Sequence, residues 1–118
     1  MRHSRKRNKL SRPTKVRNAL VRNMATSLVL HDKITTTAAK AKVLKPVIEK
    51  LVMIVKKDDN VTAIRKLNAY FYDQEATKRM IEIFKPRFEK RSSGFVSMKK
   101  RLPRPSDAAP QIEIGFVS

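Results

Sequence analysis

Six cations crowd the first thirteen residues, MRHSRKRNKLSRP: Arg2, Arg5, Lys6, Arg7, Lys9 and Arg12, with His3 among them and no carboxylate. Their charges repel, and only Met1 and Leu10 offer anything to a core, so the stretch cannot order itself in water. The chemistry open to such residues is neutralising the phosphates of a polyanion. A second run near the other end, Lys99, Lys100, Arg101 and Arg104, has the same character.

The 118 residues hold 28 Lys and Arg against 10 Asp and Glu, a net charge of +18, and the charge is unevenly spread. Residues 1–31 stand at +9 without one acid and residues 85–104 at +7, whereas the long stretch 32–84 comes to only +4. Two basic blocks flanking a nearly balanced middle are the electrostatic footprint of a nucleic-acid binder. If six to ten phosphates were neutralised, affinity for a duplex would fall ~10³–10⁵-fold between 50 and 200 mM salt. An arm that orders only on binding suits lasting insertion into crevices of a folded RNA better than rapid exchange.

The parts of an enzyme are missing. The histidines are His3, in the arm, and His31, at a helix end, where a capping or surface role is the ordinary one. Asp58-Asp59 reads as a helix cap and exposed bend, not as a metal pair. Two glycines make no phosphate-cradling loop. The absence of Cys removes disulfides, thiolate metal sites and Cys nucleophiles together, and fits a reducing compartment. No Ser has His and Asp partners at a plausible spacing. No enzyme, cofactor, metal or small-molecule substrate is therefore expected. Of the aromatics, only Phe95 neighbours basic residues in the manner of a base-stacking platform, and Phe71, Phe84 and Phe116 read as core. Recognition through backbone and shape follows.

A chain of this length buries roughly 65% of its unfolded surface, enough for one modest core. Residues 1–13 read as a basic N-terminal arm and residues 14–118 as a single α+β domain. Pro13 and Thr14 open a helix whose stripe is Val16, Leu20, Met24 and Leu28, with Lys15, Asn18 and Arg22 on the face left for phosphates. Lys33 to Thr37, with three consecutive Thr, predicts a short strand. A helix over 38–57 follows, carrying Leu44, Val47, Ile48, Leu51, Ile54 and Val55, with a kink or break at Pro46.

Asn60 is expected to cap a helix that buries Val61, Ile64, Leu67 and Phe71. Asp73 is expected to cap another that buries Ala76, Met80, Ile83 and Phe84 and ends at Pro86. Residues 94–102, with Val96, Met98 and Leu102 facing one way, and residues 111–117, with Ile112, Ile114 and Phe116, predict an antiparallel pair. The sum is about four helices packed on one face of a small mixed or antiparallel sheet of about three strands.

No apolar run approaches the ~20 residues of a membrane helix, so no membrane insertion is expected. The basic start lacks the apolar segment of a signal peptide, and a cytoplasmic protein is expected.

Three motifs then occur in order. Arg17, Leu20, Asn23, Met24, Ala25, Ser27 and Leu28 form the first; Ile34, Thr36, Thr37, Ala39, Lys40, Ala41 and Lys42 the second; Asp107, Ala108, Ala109 and Pro110 the third. Together they resemble the bacterial large-subunit ribosomal protein seventeen family along essentially the whole chain. It departs from that family's pattern at Asn8, Ser11, Ser93 to Ser97 and Ser106.

The resemblance implies a structural component of the bacterial large subunit without a catalytic role. It implies contacts with large-subunit ribosomal RNA and neighbouring ribosomal proteins, on the solvent side near the nascent-chain tunnel exit. The candidate RNA contacts are Arg2, His3, Arg5, Lys6, Arg7, Lys9 and Arg12 in the arm, Lys15, Asn18 and Arg22 on the first helix, and Lys99, Lys100, Arg101 and Arg104 around the hairpin. Two other classes share the composition: a transient ribosome-associated RNA-binding factor and a nucleoid-type DNA-binding protein.

Overall fold

The computed structural model describes residues 14–117, and the expected arm lies outside them. Helix α1, Thr14–His31, contains neither Gly nor Pro and buries Val21, Met24, Ala25, Leu28 and Val29. The inward face is thus rotated from the expected stripe: Met24 and Leu28 are core, but Val16, one turn from the end, is 52% exposed. Asp32 stops the helix by taking a left-handed backbone (φ 69°), a conformation that Asp tolerates better than most residues, while its N–H bonds to Leu28 O at 2.8 Å.

Reversal at Asp32 sends the chain into strand β1, Lys33–Thr37, and straight on into helix α2, Ala38–Lys57. Three strands form one antiparallel sheet in the order β1-β3-β2, with β2 at Val96–Arg101 and β3 at Gln111–Phe116. The Thr-rich strand is a full member, Ile34 facing Ile114 and Thr36 facing Ile112. Helix α2 packs on one face of the sheet with Ala41, Leu44, Ile48, Leu51, Val52 and Val55 buried. Pro46 does not break it: buried residues on both sides of the missing backbone donor hold the two halves to one core. Glu49 joins helix to sheet, its carboxylate accepting from Phe95 N–H and Val96 N–H at 3.0–3.1 Å.

Helix α3, Asn60–Tyr70, is capped by Asp59, not Asn60: the Asp59 carboxylate accepts from Thr62 N–H at 3.1 Å. Ala63 and Leu67 are its buried residues, leaving Val61 and Ile64 66% and 39% exposed, against expectation. Small Ala63 lets α3 lie close to the core, and that turns Val61 and Ile64 outward. The next rod begins at α4, Gln74–Arg79, where Asp73 accepts from Glu75 N–H at 2.9 Å as expected. It widens into a π-helical turn, Met80–Phe84, and closes with α5, Lys85–Arg87. The wide turn keeps Met80, Phe84 and Phe88 inside and puts Ile83 outside, 40% exposed. Pro86 is therefore passed by one residue, seated in the first turn of α5.

Phe84, Phe88, Phe95 and Phe116 meet where this rod reaches the sheet, with ring centroids 4.2 Å apart for Phe84–Phe116 and 5.2 Å for Phe88–Phe95. Phe95 is core, offering no face to a base. β2 is shorter than expected and its far end leaves the core, with Leu102 87% exposed. Among the described residues no helix is long and apolar enough to cross a membrane.

Candidate nucleic-acid interface

The cations of residues 14–117 divide by what already holds them. Arg22, expected on the phosphate face, instead crosses to the end of α3: Nε donates to Tyr70 O at 2.7 Å and Nη2 to Ala69 O at 2.8 Å, with Tyr72 stacked at 4.6 Å. Those carbonyls are the unpaired last turn of a helix, where a cation also meets the negative dipole end. Burial pushes the Tyr70 hydroxyl up, partly offset by the Arg22 charge. Arg79 does the same for α1 through Val29 O at 2.8 Å. Arg87 donates to Val117 O and to Asp32 Oδ1, each at 3.0 Å, pinning the end of β3 to the reversal before β1. These three arginines lock elements together.

In the hairpin, Arg104 forks onto Asp107 at 3.1 and 2.8 Å, which closes the turn and holds the Asp107 carboxyl below its usual range. Lys99 and Lys100, neighbours in sequence, point to opposite faces of the sheet, because strand side chains alternate. Lys15 and Asn18 are exposed in the first turns of α1, with no partner among the described residues. The arm candidates Arg2, His3, Arg5, Lys6, Arg7, Lys9 and Arg12 lie outside the described residues.

What the fold does bring together is the sheet face opposite α2. Across β1, β3 and β2 its rows read Lys33–Gly115–Ser97, Thr35–Glu113–Lys99 and Thr37–Gln111–Arg101. Lys33, Thr35, Lys99 and Arg101 are exposed. Glu113 is the only carboxylate in these three rows. It accepts from Arg101 Nη2 at 2.6 Å, and this bond, then the charges of Arg101, Lys33 and Lys99, hold it below the usual carboxylate range. An ionised Glu113 keeps three mutually repelling cations on one small surface while leaving that surface positive.

A polar depression of about 230 Å³ opens here, lined by Lys33, Arg87 and Lys99 and by the carboxylates of Asp32, which pairs with Arg87, and Glu113. Ammonium, guanidinium and hydroxyl groups on a flat strand surface suit phosphate oxygens, not the insertion of a base. Lys33 was not a candidate from sequence. The signal that finds it is alternation: with β1 and β2 both beside β3, Lys33 and Lys99 fall on the same face.

The family described as Ribosomal protein L17 matches this chain over residues 20–117. The large ribosomal subunit protein bL17 of Geobacter sulfurreducens is 38% identical over 117 residues, which make up 99% of this chain and 66% of that one. The bL17 proteins of Aliarcobacter butzleri and Thermomicrobium roseum are 39% and 36% identical over 99% and 100% of this chain and the whole of theirs. A match from the first helix to the last strand, including Lys33 and the Arg22, Arg79 and Arg87 locks within its bounds, leads to one conclusion: the chain belongs to the ribosomal protein L17 family found in bacteria.

Proposed function

We propose that this protein is a structural constituent of the bacterial large ribosomal subunit, in the cytoplasm, and that it holds folded large-subunit ribosomal RNA by its phosphates without catalysing a reaction. The observation that carries the reading is the outer sheet face, where Lys33, Lys99 and Arg101 surround a single ionised carboxylate in a chain of the L17 family. Residues 1–13 add an arm of six cations, and Lys15 and Asn18 extend the contact at the start of α1. The packed middle holds the anchors in fixed relation. Neighbouring ribosomal proteins are its other partners, and the family resemblance suggests a place near the nascent-chain tunnel exit.

Sedimentation of lysate through a high-salt sucrose gradient tests this. The chain is expected with the large subunit in one-to-one amount, and a chain lacking residues 1–13 is expected to fold but to associate poorly. Recovery of the intact chain at the top of the gradient, or with DNA, overturns the reading.

A further inference from the structure

One face of this strongly basic molecule is not basic. The segment running from Asp58 through Phe84 carries five acids, Asp58, Asp59, Asp73, Glu75 and Glu82, against four cations. Two of those cations are occupied: Lys66 pairs with Asp58 at 2.8 Å and Arg79 caps α1. On this same surface lies a groove of about 440 Å³ between α3 and the α4/π-turn rod, with Ile64 and Asn68 on one wall and Glu75, Lys78, Ile81 and Glu82 on the other. The Lys85 to Asn60 hydrogen bond at 2.6 Å ties the two walls' elements together at one end.

The groove also leaves apolar surface in water: Ile64, 39% exposed, lines it together with the half-buried Ile81, while the exposed Val61 and Ile83 lie outside its lining. Thr77 lines the groove, and its hydroxyl is the one buried side-chain polar atom among the described residues with no hydrogen-bond partner. RNA does not fit such a surface, because Glu75 and Glu82 repel phosphate and the isoleucines offer it nothing. Ile64 and Ile81 beside the Glu75 and Glu82 carboxylates, with Lys78 the one cation of the lining, suit the apolar face of a segment whose other side chains are Lys and Arg.

We infer that the α3/α4 groove docks a basic, amphipathic segment of another protein in the large subunit. Its apolar residues lie on Ile64 and Ile81, and its cations meet Glu75 and Glu82. The inference rests on the ribosomal reading and adds a division of labour to it: the outer sheet face for RNA, the α3/α4 face for protein.

The test places a photo-crosslinking amino acid at Ile64, and separately at Lys99, in the full chain assembled into large subunits. At Ile64 the expected product is resistant to ribonuclease and sensitive to protease, and its cross-linked peptide is rich in Lys and Arg. At Lys99 the product is expected to be RNA. Glu75→Lys with Glu82→Lys is expected to cut the Ile64 protein product at least fivefold while the chain still sediments with the subunit. Cross-linking of Ile64 to RNA, or to nothing, in subunits that contain the chain overturns the groove assignment alone. A chain that does not sediment with the subunit overturns the functional reading instead.

Discussion

Arg22 Nε on α1 donates to the backbone oxygen of Tyr70 at the end of α3, 2.7 Å away and 48 positions on in the chain. A residue that sequence places among the RNA contacts is thus a clamp between two helices. Removing it leaves the part-buried Tyr70 carbonyl without its partner and returns the exposed Ala69 carbonyl to water. Arg22→Ala is expected to lower folding stability by about 1–2 kcal/mol, with Lys restoring only part of it because one ammonium cannot serve both carbonyls. Urea unfolding measures this. At temperatures where both forms are folded, RNA affinity should change little, and a large loss of affinity with unchanged stability would return Arg22 to the interface.

Gly115 stands in the middle strand opposite Lys33, and a Cβ there would lie 2.9 Å from Lys33 Cβ and 3.3 Å from Asp32 O. The backbone contact cannot yield cheaply, because Asp32 O also accepts from Phe116 N–H at 3.2 Å. Gly115→Ala is expected to destabilise the fold by about 1–3 kcal/mol through this crowding, read as a lowered thermal midpoint. A neutral Gly115→Ala would mean that β1 is free to shift.

Glu113 is held below the usual carboxylate range chiefly by its hydrogen bond from Arg101. A depressed folded value means that the pair stabilises the fold above the ordinary Glu value of about 4.5, and that this contribution is lost as pH falls through the lower, folded value. Arg101→Ala is expected to move the Glu113 titration upward, which carboxyl NMR follows directly. Glu113→Gln should flatten the acid limb of the stability profile and tighten RNA binding, since it removes the one negative charge of the three strand rows. Weaker RNA binding by Glu113→Gln would contradict the assigned role.

Much of this architecture is legible in the sequence, and the exceptions share a cause. The ends of β1 and α2 follow from local chemistry, the β-branched run at Ile34 to Thr37 and the Ala-rich start beyond it. Asp73 caps its helix as expected, and the alternation of Ile112, Ile114 and Phe116 marks β3.

What sequence misses depends on partners distant in the chain. Ala63 sets the rotation of α3 and so exposes Val61 and Ile64. The π-helical turn changes which residues of Met80–Phe84 point inward. The candidate site has the same character. Lys99 and Arg101 are visible as a basic run, but only the order β1-β3-β2 sets Lys33 beside them, and only tertiary packing ties Arg22 to the end of α3.

The central claim is that the outer sheet face grips RNA phosphates. Its most direct test is the salt dependence of binding between the full chain and large-subunit ribosomal RNA, for the native protein and for Lys33→Ala/Lys99→Ala. Both lysines are exposed and neither has a hydrogen-bond partner among the described residues, so the fold is expected to be unaffected. Each phosphate contact adds about 0.7–0.9 to the slope of log affinity against log salt, so the double variant is expected to lose about 1.4–1.8 from that slope and to bind more weakly at low salt. An unchanged slope and affinity at unchanged stability would contradict the account.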